Sequence, residues 1–247
     1  MNHKTNIVGL FLLPFILLSC SLGTDPGDCE TIECLPVDYS LQLVERTRHN
    51  RDSTHTNYSA DVTIRERSKL VMRNRNRVPY VVTVNETRLV NTIRDNRTHI
   101  SRFVQELSEL PPAGQPNAWQ IALNGEILLK EELQTPSSFL IPLSLQPDDT
   151  VQSGEDIRLT FNDAPEGLSS FEIIARTEKN GEFWVYTITR EAENEVIIPA
   201  ALLAEHEVHS TNLALSIYQS YISNFLSNGY HIMADYTRQD RYQVYID

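Results

Sequence analysis

Arginine and lysine side chains recur at odd-numbered positions in one stretch of the chain, between residues 65 and 77. Alternate residues of a β-strand point to opposite faces of a sheet, so this spacing places the positive charges on one face. Guanidinium groups bind carboxylates and phosphates in a forked geometry. The sequence therefore predicts a binding face for an anionic partner, formed by Arg65, Arg67, Lys69, Arg73, Arg75 and Arg77.

The charge of the whole chain limits what this face can bind. The chain carries a formal net charge of −12, yet residues 45–102 hold 13 Lys or Arg against 6 Asp or Glu, a local net charge of +7. Nucleic-acid binding needs a net basic footprint, and the chain as a whole is too acidic for one, so we expect no nucleic-acid partner. The alternative to a binding face is that the chain's own acidic side chains neutralise these arginines.

One cluster has the residue types of a metal or catalytic site, Glu205-His206-Glu207-Val208-His209. Two histidines three residues apart could meet on a helical turn beside a carboxylate, although a solvated polar loop has the same composition. The chain holds no G-x-S-x-G or H-E-x-x-H motif. We therefore expect no enzyme, no metal and no cofactor. The alternative, an extracellular hydrolase, requires His206, His209 and a carboxylate to converge in a pocket.

The amino-terminal residues have the pattern of an export signal. Lys4 precedes an apolar run from Ile7 to Leu18, which is too short for a bilayer that takes about 20 apolar residues to span. The run ends in Leu17-Leu18-Ser19-Cys20, which resembles the lipobox of bacterial lipoproteins. This resemblance implies that residues 1–19 are a signal peptide and that Cys20 carries acyl chains such as palmitate. It places the chain in the bacterial cell envelope, and Ser21 after the cysteine favours the outer membrane.

The segment after the lipobox predicts a tether. Residues 20–36 hold few apolar side chains, and they include the other two cysteines, Cys29 and Cys34. An even pair of cysteines in an oxidising compartment is expected to form a disulfide. Closing so short a loop contributes roughly 2 kcal/mol in the chain-entropy model. A zinc site is the weaker interpretation, since two cysteines supply half of the usual ligands.

Beyond the tether, alternation of apolar and polar residues predicts an all-β fold. Two Asn-Gly pairs, Asn124-Gly125 and Asn180-Gly181, each indicate a hairpin with a two-residue turn. The second turn sets a register in which Lys179 faces Glu182 and Thr177 faces Trp184. Residues 199–205 begin with a proline, which predicts one or two helical turns.

A polar segment at residues 146–154 predicts a domain boundary. It would separate an N-terminal β-sandwich, residues 37–146, from a C-terminal one, residues 150–247. The second half resembles the immunoglobulin or fibronectin type III modules of bacterial surface lipoproteins. The residues that carry the resemblance are Gly154-Glu155-Asp156-Ile157-Arg158-Leu159-Thr160-Phe161, the Trp184 hairpin and Val196-Ile197-Ile198-Pro199. It implies two immunoglobulin-like sandwiches that act as spacers or binding platforms, without catalysis.

Together these patterns predict a non-enzymatic, membrane-anchored envelope lipoprotein, with an interaction face for an anionic glycan or a protein partner. Its basic face would be the recognition surface of a cell-surface or outer-membrane lipoprotein. The alternative is a structural spacer or an assembly subunit of an envelope complex, in which a sheet edge accepts a strand from a neighbour.

Overall fold

The alternation that begins at Tyr39 folds into strands along most of the described chain. The computed structural model describes residues 38–65, 80–95, 100–146, 148–163, 165–179, 182–190, 195–205 and 207–247. These residues form strands β1 (Tyr39–Asn50), β2 (Ser53–Arg65), β3 (Tyr80–Val84), β4 (Thr87–Arg88), β5 (Val90–Asp95), β6 (Ile100–Leu107), β7 (Pro116–Leu123), β8 (Glu126–Gln134), β9 (Asp149–Val151), β10 (Ile157–Thr160), β11 (Ser170–Lys179), β12 (Glu182–Arg190), β13 (Glu195–Ile198), β14 (Thr211–Ser227) and β15 (Tyr230–Ile246), and one helix, α1 (Ala200–Glu205).

Burial of one strand face fixes the pairing of β1 with β2. Leu41 and Leu43 are buried, and they lie opposite Val62 and Ala60, which are also buried. A fully buried large apolar side chain contributes about 1.5–3 kcal/mol to stability. A slip of one residue would turn the whole apolar set toward solvent, so the register is strongly specified.

Nine strands form the main sheet. Eight follow the order β12-β11-β14-β15-β1-β2-β6-β5, and β9 also pairs with β15. The contact between β1 and β15 is parallel, while the other neighbours along this path are antiparallel. A four-stranded sheet, β4-β3-β7-β8, and a two-stranded one, β10-β13, complete the described strands. The β1/β15 pair thus joins the first and last described strands of the chain.

Two hydrophobic cores pack against the inner face of the main sheet, which is the face that carries Leu41 and Ile217. One core holds residues of β10, β11, β13 and α1 with the open end of the β14–β15 hairpin, where Val244 is fully buried. The other holds residues of β1, β2, β3 and β7 with the turn end of that hairpin, where Ile232 is fully buried. The long hairpin therefore belongs to both cores.

Several local predictions from the sequence are confirmed within the described residues. The described fold is all-β apart from α1, which lies within residues 199–205 as expected. Lys179 pairs with Glu182 and Thr177 with Trp184, as the two-residue turn requires. The first predicted hairpin joins β7 to β8, with Asn124 and Gly125 both at positive φ, although a bulge shifts its register after the second pair of residues.

The division into two immunoglobulin-like sandwiches is not confirmed. Val37–Asp247 forms one compact unit, and the main sheet takes strands from both predicted halves. The predicted boundary segment contains β9, which pairs with β15. Among the described residues, no helix is both long and apolar enough to cross a membrane.

A candidate anion-binding groove

A groove of about 550 Å³ lies on the outer face of the main sheet, the face opposite to both cores. Three arginines line it, Arg46 and Arg48 from β1 and Arg241 from β15. Leu43 points into the core, so strand alternation sends the even-numbered Arg46 and Arg48 outward. The other outward polar side chains of this arginine groove are Asn50, His55, Asn57 and Gln239.

Strand pairing sets the spacing of the arginines. Arg48 lies opposite Arg241 on one side and opposite His55 on the other. Arg46 lies opposite Gln239 in the same parallel register. Neighbouring strands are about 4.8 Å apart, and alternate residues of a strand are about 7 Å apart. The three guanidinium groups therefore rise from one small patch of the sheet, with amide side chains beside them.

None of the groove arginines forms an ion pair with a carboxylate among the described residues. Arg46 donates a hydrogen bond from Nη1 to Ser59 Oγ at 3.1 Å. Arg48 and Arg241 stand side by side, and like charges in this position destabilise a sheet. The chain has 33 acidic and 21 basic residues, so acids are plentiful, yet no described one pairs with these arginines.

The arginine on the inner face of the same strands is paired with carboxylates. It belongs to an inner charge cluster formed by Glu45, His49, Arg238 and Asp240. Arg238 donates from Nε to Asp240 Oδ2 at 2.8 Å and from Nη2 to Oδ1 at 3.1 Å. Its Nη1 lies 3.5 Å from Glu45 Oε1. Burial alone would lower the pKa of Arg238, but the hydrogen bonds and charge of Asp240, with the charge of Glu45, raise it.

Aromatic rings enclose this inner charge cluster. The guanidinium carbon of Arg238 lies 4.6 Å from the centre of the Phe139 ring. The His49 ring stacks on Tyr242 with centroids 4.4 Å apart, and its Nε2 lies 2.9 Å from Asp240 Oδ1. The Tyr236 hydroxyl donates to Glu45, and burial followed by this hydrogen bond raises the pKa of that hydroxyl. The cluster occupies the junction between the two cores.

The predicted basic face falls mostly outside the described residues. Arg65 ends β2, is exposed, and lies on the outer face, because the adjacent Ile64 points into the core. Its binding role stays a prediction, as does that of the five others, which lie at residues 66–79: Arg67, Lys69, Arg73, Arg75 and Arg77. On the same face the charge of Arg102 is neutralised by Asp61, because Arg102 Nε donates to Asp61 Oδ2 at 2.7 Å. This hydrogen bond raises the pKa of Arg102.

The remaining predicted site residues give no assembled site in the described chain. Cys20, Cys29 and Cys34 lie outside the described residues, so lipidation and the disulfide stay predictions. His206 also lies outside them, and His209 is exposed after α1. No group of three His, Cys, Asp or Glu side chains among the described residues is placed to hold a metal ion.

The arginine groove was not predicted from the sequence, although part of its signal is visible there. Arg46 and Arg48 occur at alternate positions inside the basic stretch of residues 45–102, and they follow the apolar Leu41 and Leu43. Arg241 is remote in sequence, and only the parallel β1/β15 register brings it beside Arg48.

Comparisons with known proteins give no family for this chain. No family model and no curated protein matches it. Among solved structures, one match is the type I pullulanase of Bacillus subtilis str. 168 complexed with maltose, at 12% identity and a TM-score of 0.21. The match covers 81% of this chain and 24% of the pullulanase, so the chain spans about a quarter of that protein. So low a TM-score carries no argument about fold or activity.

Proposed function

We propose that this chain is a non-enzymatic lipoprotein of the bacterial cell envelope, anchored through Cys20, and that its arginine groove binds an anionic glycan. The observation that carries the binding proposal is that Arg46, Arg48 and Arg241 share one groove without a carboxylate partner among the described residues. An anion in the groove would relieve the repulsion between Arg48 and Arg241 while using the forked geometry of their guanidinium groups.

The rest of the lining favours a glycan over other anions. Amide side chains, which both donate and accept hydrogen bonds, flank the arginines: Asn50, Asn57 and Gln239. An acidic sugar presents carboxylates to guanidinium groups and hydroxyls to amides. A volume of about 550 Å³ lies within the usual range of small-molecule sites. Acidic polysaccharide is also an anion that an envelope protein meets outside the cytoplasm.

Titration calorimetry with trigalacturonate tests the glycan proposal, using the full chain in detergent at low ionic strength. Changing Arg46, Arg48 or Arg241 singly to Gln should weaken binding about tenfold or more, because a hydrogen bond to a charged group contributes roughly 1.5–3 kcal/mol. Binding by the unchanged protein should also weaken in 0.5 M salt, which screens exposed charges.

A matched control is available on a different sheet. Arg88 is exposed on β4, so Arg88→Gln removes one positive charge without touching the groove. Affinity equal to that of the unchanged protein is expected for this variant. If the Arg46/Arg48/Arg241 triple Gln variant binds trigalacturonate as well as the control does, the groove is not the binding site.

The lipobox-like residues Leu17-Leu18-Ser19-Cys20 support the anchor proposal. Several acyl chains hold a protein far more firmly than one, which gives only marginal and reversible binding. Growth of the expressing bacterium with labelled palmitate should label the chain, and Cys20→Ala should abolish the label. Mass spectrometry that finds an unmodified thiol at Cys20 in the native protein would remove the anchor.

An assembly role is the second candidate, and the edges of the main sheet favour it. Among the described strands, β12 and β5 each have one neighbour in that sheet. An edge of this kind can accept a strand from another protein. Native-size chromatography of detergent extracts separates the two functions, since a stable hetero-complex supports assembly and a monomer with glycan affinity supports the groove.

A further inference from the structure

A second cavity, of about 290 Å³, lies between the inner face of the main sheet and the sheet formed by β7 and β8. Its walls are largely apolar and aromatic, and the side chains that form them include Leu41, Leu43, Trp119, Leu133, Tyr221 and Ala234. Glu166 and Gly167 also line it and are exposed, so the cavity reaches the surface. The volume lies near the lower end of the range for small-molecule sites.

Two side-chain donors in this cavity lack a partner among the described residues. They are Asn117 Nδ2 and Trp119 Nε1, on side chains of residues that are 0% and 2% exposed. Both residues point inward from β7, because they are two positions apart on one strand. A buried donor without an acceptor costs about 1–3 kcal/mol, so two of them in one cavity call for an acceptor.

Hydrogen bonds around Asn85 fix which amide atom of Asn117 is free. The Ala118 backbone N–H donates to Asn85 Oδ1 at 2.9 Å, which makes that atom the oxygen. Asn85 Nδ2 therefore donates to Asn117 Oδ1, at 2.8 Å. The Asn117 oxygen is thus occupied, and its nitrogen must be the atom left without a partner.

We infer that this cavity binds a small uncharged molecule that joins an apolar ring or chain to at least one acceptor oxygen. The acceptor would take the hydrogen bonds of Asn117 and Trp119, and the apolar part would lie against the leucine and aromatic walls. The exposed Glu166 is acidic and lines the cavity, and the Asp235 carboxylate, although it points to the outer face, lies on the strand behind it, so both disfavour an anion. This site lies on the inner face, so it is separate from the arginine groove and does not depend on it.

A pair of probes that differ in the acceptor alone tests the inference: cyclohexanone, and methylenecyclohexane, in which a CH₂ group replaces the oxygen. The Cys20→Ser full chain is used, so that detergent does not absorb the probes. The observable is the indole N–H resonance of Trp119, assigned by its loss in Trp119→Phe. Cyclohexanone should shift this resonance saturably, and methylenecyclohexane should bind at least about tenfold more weakly, since it can accept a hydrogen bond from neither Asn117 nor Trp119.

Variants then separate the hydrogen bond from simple filling of space, with backbone amide resonances as the readout. Trp119→Phe should weaken cyclohexanone binding about tenfold and leave methylenecyclohexane binding unchanged. Ala234→Leu should block both probes by filling the cavity, whereas Ala118→Leu, an equal enlargement at an exposed site on β7, should block neither.

Two results overturn the inference. Equal affinity for both probes would show an apolar void without recognition of an acceptor. No saturable shift with either probe, while the backbone amide spectrum shows a folded chain, would show a cavity that holds water only. Both outcomes leave the groove proposal intact, because its probe and its variants are different.

Discussion

The two faces of β1 and β15 carry arginines in opposite situations. On the inner face, Arg238 contacts Asp240, Glu45 and the Phe139 ring. On the outer face, Arg48 and Arg241 stand beside each other, and neither has a carboxylate partner among the described residues. Since both faces belong to the same strands of an acidic chain, a shortage of acids does not explain the difference. The charges of the inner cluster are neutralised within the protein, whereas the groove arginines have no such partner among the described residues, which is the condition that the binding proposal requires.

Removal of Arg238 should give the largest effect. Arg238→Met leaves the Asp240 side chain, which is 3% exposed, and that of Glu45, which is 13% exposed, without their cation. Breaking a buried pair in this way costs about 3–5 kcal/mol. Urea denaturation should show this loss, and the matched Arg241→Met on the outer face should show none. Equal losses in the two variants would remove the contrast between the faces.

Gln219→Leu should give the next largest loss of stability. It tests whether polar groups on the inner face depend on internal partners. Gln219 is fully buried, accepts from the Leu140 N–H at 2.7 Å and donates to the Leu140 carbonyl at 2.8 Å. Leucine leaves both backbone groups unsatisfied, at about 1–3 kcal/mol for each.

The control for this change lies on the outer face. Gln239 is half-buried there and donates a single side-chain hydrogen bond, to the Tyr218 hydroxyl at 2.9 Å. Gln239→Leu should therefore change the urea midpoint by no more than an ordinary surface substitution, within about 0.5 kcal/mol. A loss as large as that of Gln219→Leu would mean that the outer face is as tightly organised as the inner one.

Arg241→Gln should have a smaller effect, and a stabilising one. It removes the repulsion from Arg48, and cross-strand pairs of charges contribute roughly 0.2–1 kcal/mol. The gain should be present at low ionic strength and fade in 0.5 M salt, because exposed charges are screened there. Thermal unfolding at the two salt concentrations measures it. A loss of stability at low salt would show that Arg241 has a partner that offsets the repulsion.

Local sequence patterns predicted an all-β fold, because side-chain alternation is a property of each strand alone, but they placed a domain boundary where β9 lies. They also predicted the register of β11 with β12, since a two-residue turn at Asn180-Gly181 fixes which residues pair and places Thr177 opposite Trp184. A third Asn-Gly pair, Asn228-Gly229, joins β14 to β15 with both residues at positive φ. Like the other two pairs, it indicates a hairpin with a two-residue turn. It could therefore have predicted the β14–β15 hairpin, which the sequence analysis did not include.

The groove was beyond the reach of these local patterns. It needs the parallel pairing that places Arg48 beside Arg241, and no turn or short loop sets that register. The pairing depends on the burial of side chains remote in sequence, such as Leu41 opposite Ala234. For the same reason the sequence indicated two separate sandwiches, because nothing local shows that β14 and β15 extend through both cores.

The smallest expected effect concerns an acid on the outer face. Burial raises the pKa of Asp235, against the hydrogen bonds from Gln42 and Thr237, which lower it. The folded protein thus binds this proton more tightly than the unfolded chain does, so the contribution of Asp235 to stability falls as the pH rises through the raised pKa. At pH 7, Asp235→Asn should therefore raise the free energy of unfolding by on the order of 0.5 kcal/mol. This advantage should shrink as the pH falls through the raised pKa and be gone below the pKa of the unfolded chain, about 3.9.

Urea midpoints measured between pH 3 and pH 8 show this sign, and Asp61→Asn is the matched control on the same face. The Asp61 carboxylate accepts hydrogen bonds from Arg102, so its loss should destabilise the protein at pH 7. Opposite signs at the two positions would mean that an acid on this face helps folding only where a cation meets it. If Asp235→Asn is also destabilising at pH 7, the hydrogen bonds from Gln42 and Thr237 outweigh the cost of burial, and a carboxylate on this face does not need a cation.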